Sequence, residues 1–178
     1  MSQLVESARL FATAAHGAVG QKRQYTGEPY ILHPMRVVEH VRLCQRTSFE
    51  QLAAAWLHDV VEDTKIDLDI IRWEFGHHVG RLVEALTNVP VSAGSRKERF
   101  RMNLERLVRA DAEAQTIKVA DILDNVASIA RGNPGYAVIY VPEKLQTIEI
   151  LDRADPYLRS QARMACQKAL EAIQSIVA

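Results

Sequence analysis

His58, Asp59, Glu62 and Asp63 stand close together in the stretch LAAAWLHDVVEDT at 52–64. An imidazole and carboxylates are the donors a divalent cation takes, and paired carboxylates can also move protons. If the stretch is helical, residues four apart lie nearly in line, so His58 aligns with Glu62 and Asp59 with Asp63. The simplest alternative is a helix end that dips into solvent, with His58 and Asp59 an ordinary surface pair. Residues 52–61 are too apolar for that. Carboxylates in a last helical turn also face the negative end of the helix dipole. Something positive should compensate, and a metal ion is the simplest candidate.

Two further places attract attention. His33 directly precedes Pro34 in PYILHP. Proline favours the first turn of a helix, so His33 should be held at a rigid helix start, where a ligand cannot wander. In IKVADILDNVASIARG, Asp121, Asn125 and Ser128 share one helical face beside an apolar stripe of Ile122, Val126 and Ile129. That pairing suits a helix bordering a cavity. Asp124 falls outside the polar stripe and reads as an outward-facing charge.

The elements that must position these groups read as helices throughout. Ser2 can cap a first helix running to about Val19, with His16 near its end as a core or capping residue. A loop follows to Pro34, carrying the basic pair Lys22 and Arg23. Met35–Arg46 is a second helix, in which His40 packs or faces solvent. Thr47 or Ser48 caps the central apolar helix. Asp67 opens a short helix that Gly76 ends, and His77 and His78 diverge too far around an axis to share an ion. Val79–Val89, a basic amphipathic helix capped by Ser95, and Asp111–Arg131 come next. The phrase GNPGYAV reads as a loop, with a helix from about Tyr140 and a last one over Leu158–Ile176. No period-2 pattern supports a strand. The expectation is an all-α bundle of about eight helices, one domain over 1–178.

With 22 Lys and Arg against 22 Asp and Glu, bulk charge favours neither nucleic acid nor an acidic membrane. A small anionic substrate held by a local basic cluster fits better. Cys44 and Cys166 lack metal-type spacing. The first residues lack the pattern of a signal peptide, and no apolar run reaches membrane-spanning length. A cytoplasmic protein is expected, and a homodimer is left open.

The phrases GEPYILHP, HDVVEDT and KVADILDN, in that order and spacing, resemble the HD-domain metal phosphohydrolases. More narrowly, they resemble the stringent-response alarmone hydrolases: the hydrolase domain of the RelA/SpoT proteins and their small stand-alone relatives. The resemblance covers roughly Ala8 to Asp152. It implies an HD-domain helical bundle, with metal ligands at His33, His58, Asp59 and Asp121 and a catalytic acid pair at Glu62 and Asp63. Asn125, Ser128 and Tyr140 would face the nucleotide, together with Lys22 and Arg23. Gln24 stands where the family commonly has Lys, and Ala127 where it tends to have Arg. Two imidazoles and two carboxylates suit Mn²⁺, although Fe or Zn could occupy the same set. The implied reaction is hydrolysis of the 3′-pyrophosphate of (p)ppGpp or (p)ppApp. The competing readings are another HD-type phosphatase, acting on nucleoside monophosphates or NADPH, and a non-catalytic alarmone-binding module.

Overall fold

The computed structural model describes residues 2–177, with side chains through Ile173. Its centre is α3 (Phe49–Leu57), in which every residue from Gln51 to Leu57 is buried. A helix apolar all round has to be enclosed by others. α1 (Gln3–Ala18) covers one side, turning Val5, Ala8, Ala12 and Ala15 inward at alternating spacings of three and four. α2 (Leu32–Arg42) covers another with Val37, Val38 and Val41. α5 (Leu68–Leu86) and α7 (Ala112–Gly132) complete the enclosure, and α7 in turn packs on α8 (Pro134–Ile150) and α9 (Pro156–Val177). α4 (Val60–Asp63) is a single turn, and α6 (Arg96–Arg109) follows a 3₁₀ turn at Val91–Ala93. Among the described residues there is no strand, only an isolated bridge between Lys22 and Pro29. The fold is all-α, with eight helices of nine residues or more among the described residues.

Local signals set most boundaries. Ser48 accepts the Gln51 N–H, and Asp111 accepts that of Ala114. Ser95 and Glu98 form a capping box. Gly76 (φ 87°, ψ 165°) breaks α5 into two helical arms, a conformation that only glycine adopts without strain.

Three expectations need correction. The stretch 52–64 is not one helix. It breaks at His58 and Asp59, and Glu62 and Asp63 belong to the first turn after the break. The dipole penalty read from a last turn therefore does not apply. GNPGYAV is not a loop to its end: Asn133 accepts the Tyr136 N–H and Pro134 sits in the first turn, so α8 starts there and runs through Pro142. Asp124 does not face outward, for its side chain is only 7% exposed.

Candidate active site

The break after α3 aims the site. His58 follows the last residue of α3 and is 2% exposed; its Nδ1 donates to the Ala55 carbonyl at 2.8 Å. His33, in the first turn of α2, is fully buried. Its Nδ1 lies 2.6 Å from Asp124 Oδ2, and Arg36 Nε holds the other oxygen of Asp124 at 2.6 Å. A carbonyl or ionised carboxylate can only accept, so both Nδ1 atoms carry hydrogen. Both Nε2 atoms are left as bare lone pairs in the neutral rings. They face each other at 3.3 Å.

Carboxylates close in on the same point. Asp59 Oδ2 lies 3.0 Å from His58 Nε2 and 3.5 Å from His33 Nε2. Asp121 Oδ1, from α7, lies 3.3 Å from His33 Nε2. His33, His58 and Asp59 bring one ligand atom each within 4.8 Å of one another. Two lone pairs and two carboxylates turned toward one another repel unless something positive lies between them. The donor set therefore fits a divalent cation.

Protonation answers the same demand. Burial pushes the His33 imidazole down, but hydrogen bonds to Asp121, Asp124 and Asp59 outweigh it and hold its pKa well above the ordinary value. Burial raises Asp59 and Asp121, yet the His58 charge on the first and the Lys118 ammonium on the second leave both well below the usual carboxylate range. Lys118 Nζ reaches Asp121 Oδ2 at 2.8 Å, and Tyr30 donates to Asp59 Oδ2 at 2.6 Å.

The residues expected to do chemistry or hold substrate lie around this cluster. Glu62 is exposed and accepts from the Asn88 backbone N–H at 3.0 Å and from its side-chain amide. Asp63 accepts from Gln21 Nε2 at 2.8 Å. Desolvation, the Asp59 charge and the Glu62 charge push Asp63 above the ordinary range, against the pull of Gln21. Among the described residues no side-chain hydrogen bond joins His58 to Glu62 or Asp59 to Asp63; Asp63 meets Asp59 only through the backbone, its N–H donating to the Asp59 carbonyl at 2.9 Å. Asn125 donates to Asp121 Oδ1 at 2.5 Å, and Ser128 donates to the Asn125 carbonyl. Arg23 is buried and donates to Asn125 Oδ1 at 2.7 Å and Ser128 Oγ at 3.1 Å. Lys22 is exposed.

Two clefts flank the cluster. One, of about 290 Å³, is lined by Lys22, Arg23, Tyr30, Asn125 and Ser128 among others. The second, of about 230 Å³, holds Glu62 and Asn88 beside Arg96, Tyr140 and Lys144. Lys144 Nζ lies 4.9 Å from the Tyr140 ring centroid, and burial and Lys118 push its ammonium down to about 8. A larger cleft of about 780 Å³, between Cys44 and Asp155, shares none of these residues.

Sequence reasoning missed Asp124, Arg36, Lys118, Tyr30, Gln21 and Asn88. The Lys118–Asp121 pair was legible, since residues three apart on a helix meet. Asp124 was not, because its partner lies 91 residues away.

Comparisons with known proteins agree with this geometry. The HD domain family model matches residues 8–169. The guanosine-3′,5′-bis(diphosphate) 3′-pyrophosphohydrolase MESH1 of Homo sapiens is 35% identical over 136 residues, 75% of this chain and 73% of that protein. The guanosine-3′,5′-bis(diphosphate) 3′-pyrophosphohydrolase of Aquifex aeolicus is 36% identical over 129 residues, 70% of this chain but only 18% of that longer protein. The solved structure of a metazoan ortholog of SpoT superposes with a TM-score of 0.81 at 24% identity, covering 96% of both chains, which shows a shared fold. Among the described residues no helix is long and apolar enough to cross a membrane. The chain belongs to the HD-domain family, in the group that includes the human and Aquifex pyrophosphohydrolases.

Proposed function

We propose that this chain, one HD-type domain over 1–178, is a metal-dependent hydrolase of nucleotide alarmones. It removes the 3′-pyrophosphate of (p)ppGpp or (p)ppApp and leaves the nucleoside 5′-di- or triphosphate. The observation that carries this reading is the convergence of two imidazole lone pairs with Asp59 and Asp121. The likeness to proteins named for that reaction supports the substrate class. His33, His58, Asp59 and Asp121 would hold one Mn²⁺, the nitrogen and oxygen set without thiolate favouring it over Zn. When bound, the ion supplies Lewis-acid activation of solvent and neutralises phosphate charge.

The chain's own side chains supply the proton steps. Water attacks the phosphorus bonded to the ribose 3′ oxygen, the P–O3′ bond breaks, and pyrophosphate leaves with the water oxygen. Glu62 takes a proton from the attacking water. Asp63, whose carboxyl is pushed above its ordinary range by burial and the Asp59 charge, can hand a proton to the departing ribose oxygen. Arg23 orders Asn125 and Ser128 along one cleft wall, and Lys22 at the rim and Tyr140 across the cluster complete the nucleotide's surroundings. Every named residue comes from one chain, so the reading does not require a homodimer. Its setting is the cytoplasm and its partner a small anionic nucleotide.

The test is incubation of Mn²⁺-loaded protein with ppGpp, ppApp, NADPH and nucleoside monophosphates, followed by pyrophosphate and phosphate release. Pyrophosphate from an alarmone is expected. Turnover of a monophosphate or NADPH with no pyrophosphate from either alarmone rejects the assignment. Tight alarmone binding without cleavage makes the chain a sensor.

A further inference from the structure

We infer that His16 and Gln21 act as a positioning relay that fixes which way the Asp63 carboxylate is held. The inference rests on the role given to Asp63 above. His16, near the end of α1, is 2% exposed, and its Nδ1 lies 2.7 Å from Gln21 Oε1. Gln21 then turns its Nε2 to Asp63 Oδ2 at 2.8 Å. His16 also lies against Tyr30, with ring centroids 4.8 Å apart, and Tyr30 donates to the ligand Asp59.

Donor and acceptor logic orders the relay. A side-chain amide could present either end to Asp63, and only the N–H end serves it in both protonation states, since a protonated carboxyl still accepts at its carbonyl oxygen while the amide oxygen could bond only the protonated form. That choice points Oε1 at His16, where it needs a donor. The His16 ring meets the need only with its hydrogen on Nδ1. The opposite tautomer would set two acceptors against each other and bury an N–H at Nε2, which has no partner among the described residues. A bare lone pair there costs less than a stranded donor. Burial holds the ring neutral, against Gln21 and the Asp59 and Asp63 charges, so the tautomer persists near pH 7. A buried histidine outside the ligand set thereby sets the geometry of an exposed carboxylate. That carboxylate is faced by Asp59, Glu62, Tyr30 and Gln21.

The relay can be read with and without catalysis. Imidazole ¹⁵N–¹H NMR of the metal-loaded protein should show His16 as the neutral Nδ1–H form at pH 7, and Gln21→Leu should erase that preference. An Nε2–H or charged His16 in the wild type rejects the relay, even if the protein hydrolyses nothing. In turnover, Gln21→Leu should lower kcat about tenfold to a hundredfold, with metal content and KM near wild type. His16→Leu should behave likewise. His16→Asn, whose amide can donate from near the Nδ1 position, should recover kcat to within a few-fold. Unchanged kcat in Gln21→Leu, or His16→Asn as impaired as His16→Leu, reduces His16 to packing and overturns the inference. A wild type silent toward every alarmone instead overturns the proposed activity, and the NMR result still decides the relay.

Discussion

On the buried side of the cluster, His58, His33 and Asp121 are held by the backbone or by charged groups, with Tyr30 and Asn125 adding neutral donors to Asp59 and Asp121, whereas on its open side Glu62 and Asp63 are held by neutral amides alone. His58 is tied to the Ala55 carbonyl, His33 to Asp124 and through it to Arg36, and Asp121 to Lys118. Glu62 rests on Asn88 and Asp63 on Gln21. Charged, desolvated partners fix geometry because a broken pair leaves a buried charge unpaired. They also fix protonation. Neutral amides orient a carboxylate while leaving it free to gain and lose a proton. The inner half is thus built to hold a cation still, and the outer half to move protons.

The sharpest way to break this division is to remove an inner ligand. His58→Ala and Asp59→Ala should each abolish both metal content and turnover, a loss of at least about a thousandfold. Elemental analysis alongside pyrophosphate release would show it; a variant that lost activity while keeping full metal occupancy would merge the two halves. Glu62→Gln is the matching cut in the outer half. It should retain the metal and lower kcat by about 10²–10⁴. Unchanged turnover would remove Glu62 from the proton chemistry.

The fold was more legible than the site. Ser48, Ser95 and Asp111 mark helix starts by side chains that bond within their own turn, and Gly76 marks a kink by its own backbone. Such signals are local and can be read from spacing. The same is true of the stripe linking Asp121, Asn125 and Ser128. Helical periodicity failed where tertiary contacts decide. Nothing between His58 and Val60 announces a break, since His58, Asp59 and Val60 neither lack an N–H nor demand an unusual φ. Asp124 looks solvent-facing until α2 is packed on α7 and its carboxylate meets His33 and Arg36. Pro142, read alone, predicts a helix boundary, yet α8 runs through it.

Smaller effects sharpen the account of the inner half. Asp124→Asn removes the charge behind His33 and should weaken metal affinity about 10- to 100-fold, with activity restored at higher metal concentration. Metal titrations of activity would separate this from a loss of kcat. Proton bookkeeping supplies an independent check. His33 in the cation-free protein has a pKa well above 6.5, so it carries a proton at pH 7 that a cation must displace. Calorimetric titration in buffers of different ionisation enthalpy should record proton release. Affinity should rise with pH until the folded pKa of His33 is passed. For the same reason, the stability that this raised pKa gives the cation-free protein is fully present below pH 6.5 and is lost as pH climbs through the folded value. Metal uptake without proton release at pH 7 would mean that the ring is already neutral.

The gentlest cut is Asn88→Ala. The Asn88 side chain gives Glu62 two of its three contacts, at 3.1 and 3.0 Å, while the backbone N–H at 3.0 Å survives the substitution. A lost hydrogen bond to a solvent-accessible carboxylate is worth about 1 kcal/mol, or roughly fivefold in a rate that depends on its orientation. Turnover should therefore fall by about that factor while the backbone N–H still holds Glu62 in place. Metal content and melting temperature should stay near wild type, since the contact is exposed. If Asn88→Ala stripped the metal or lowered the whole profile as deeply as Glu62→Gln, the neutral-amide side would be structural, and the contrast between the two halves would fail at its weakest joint.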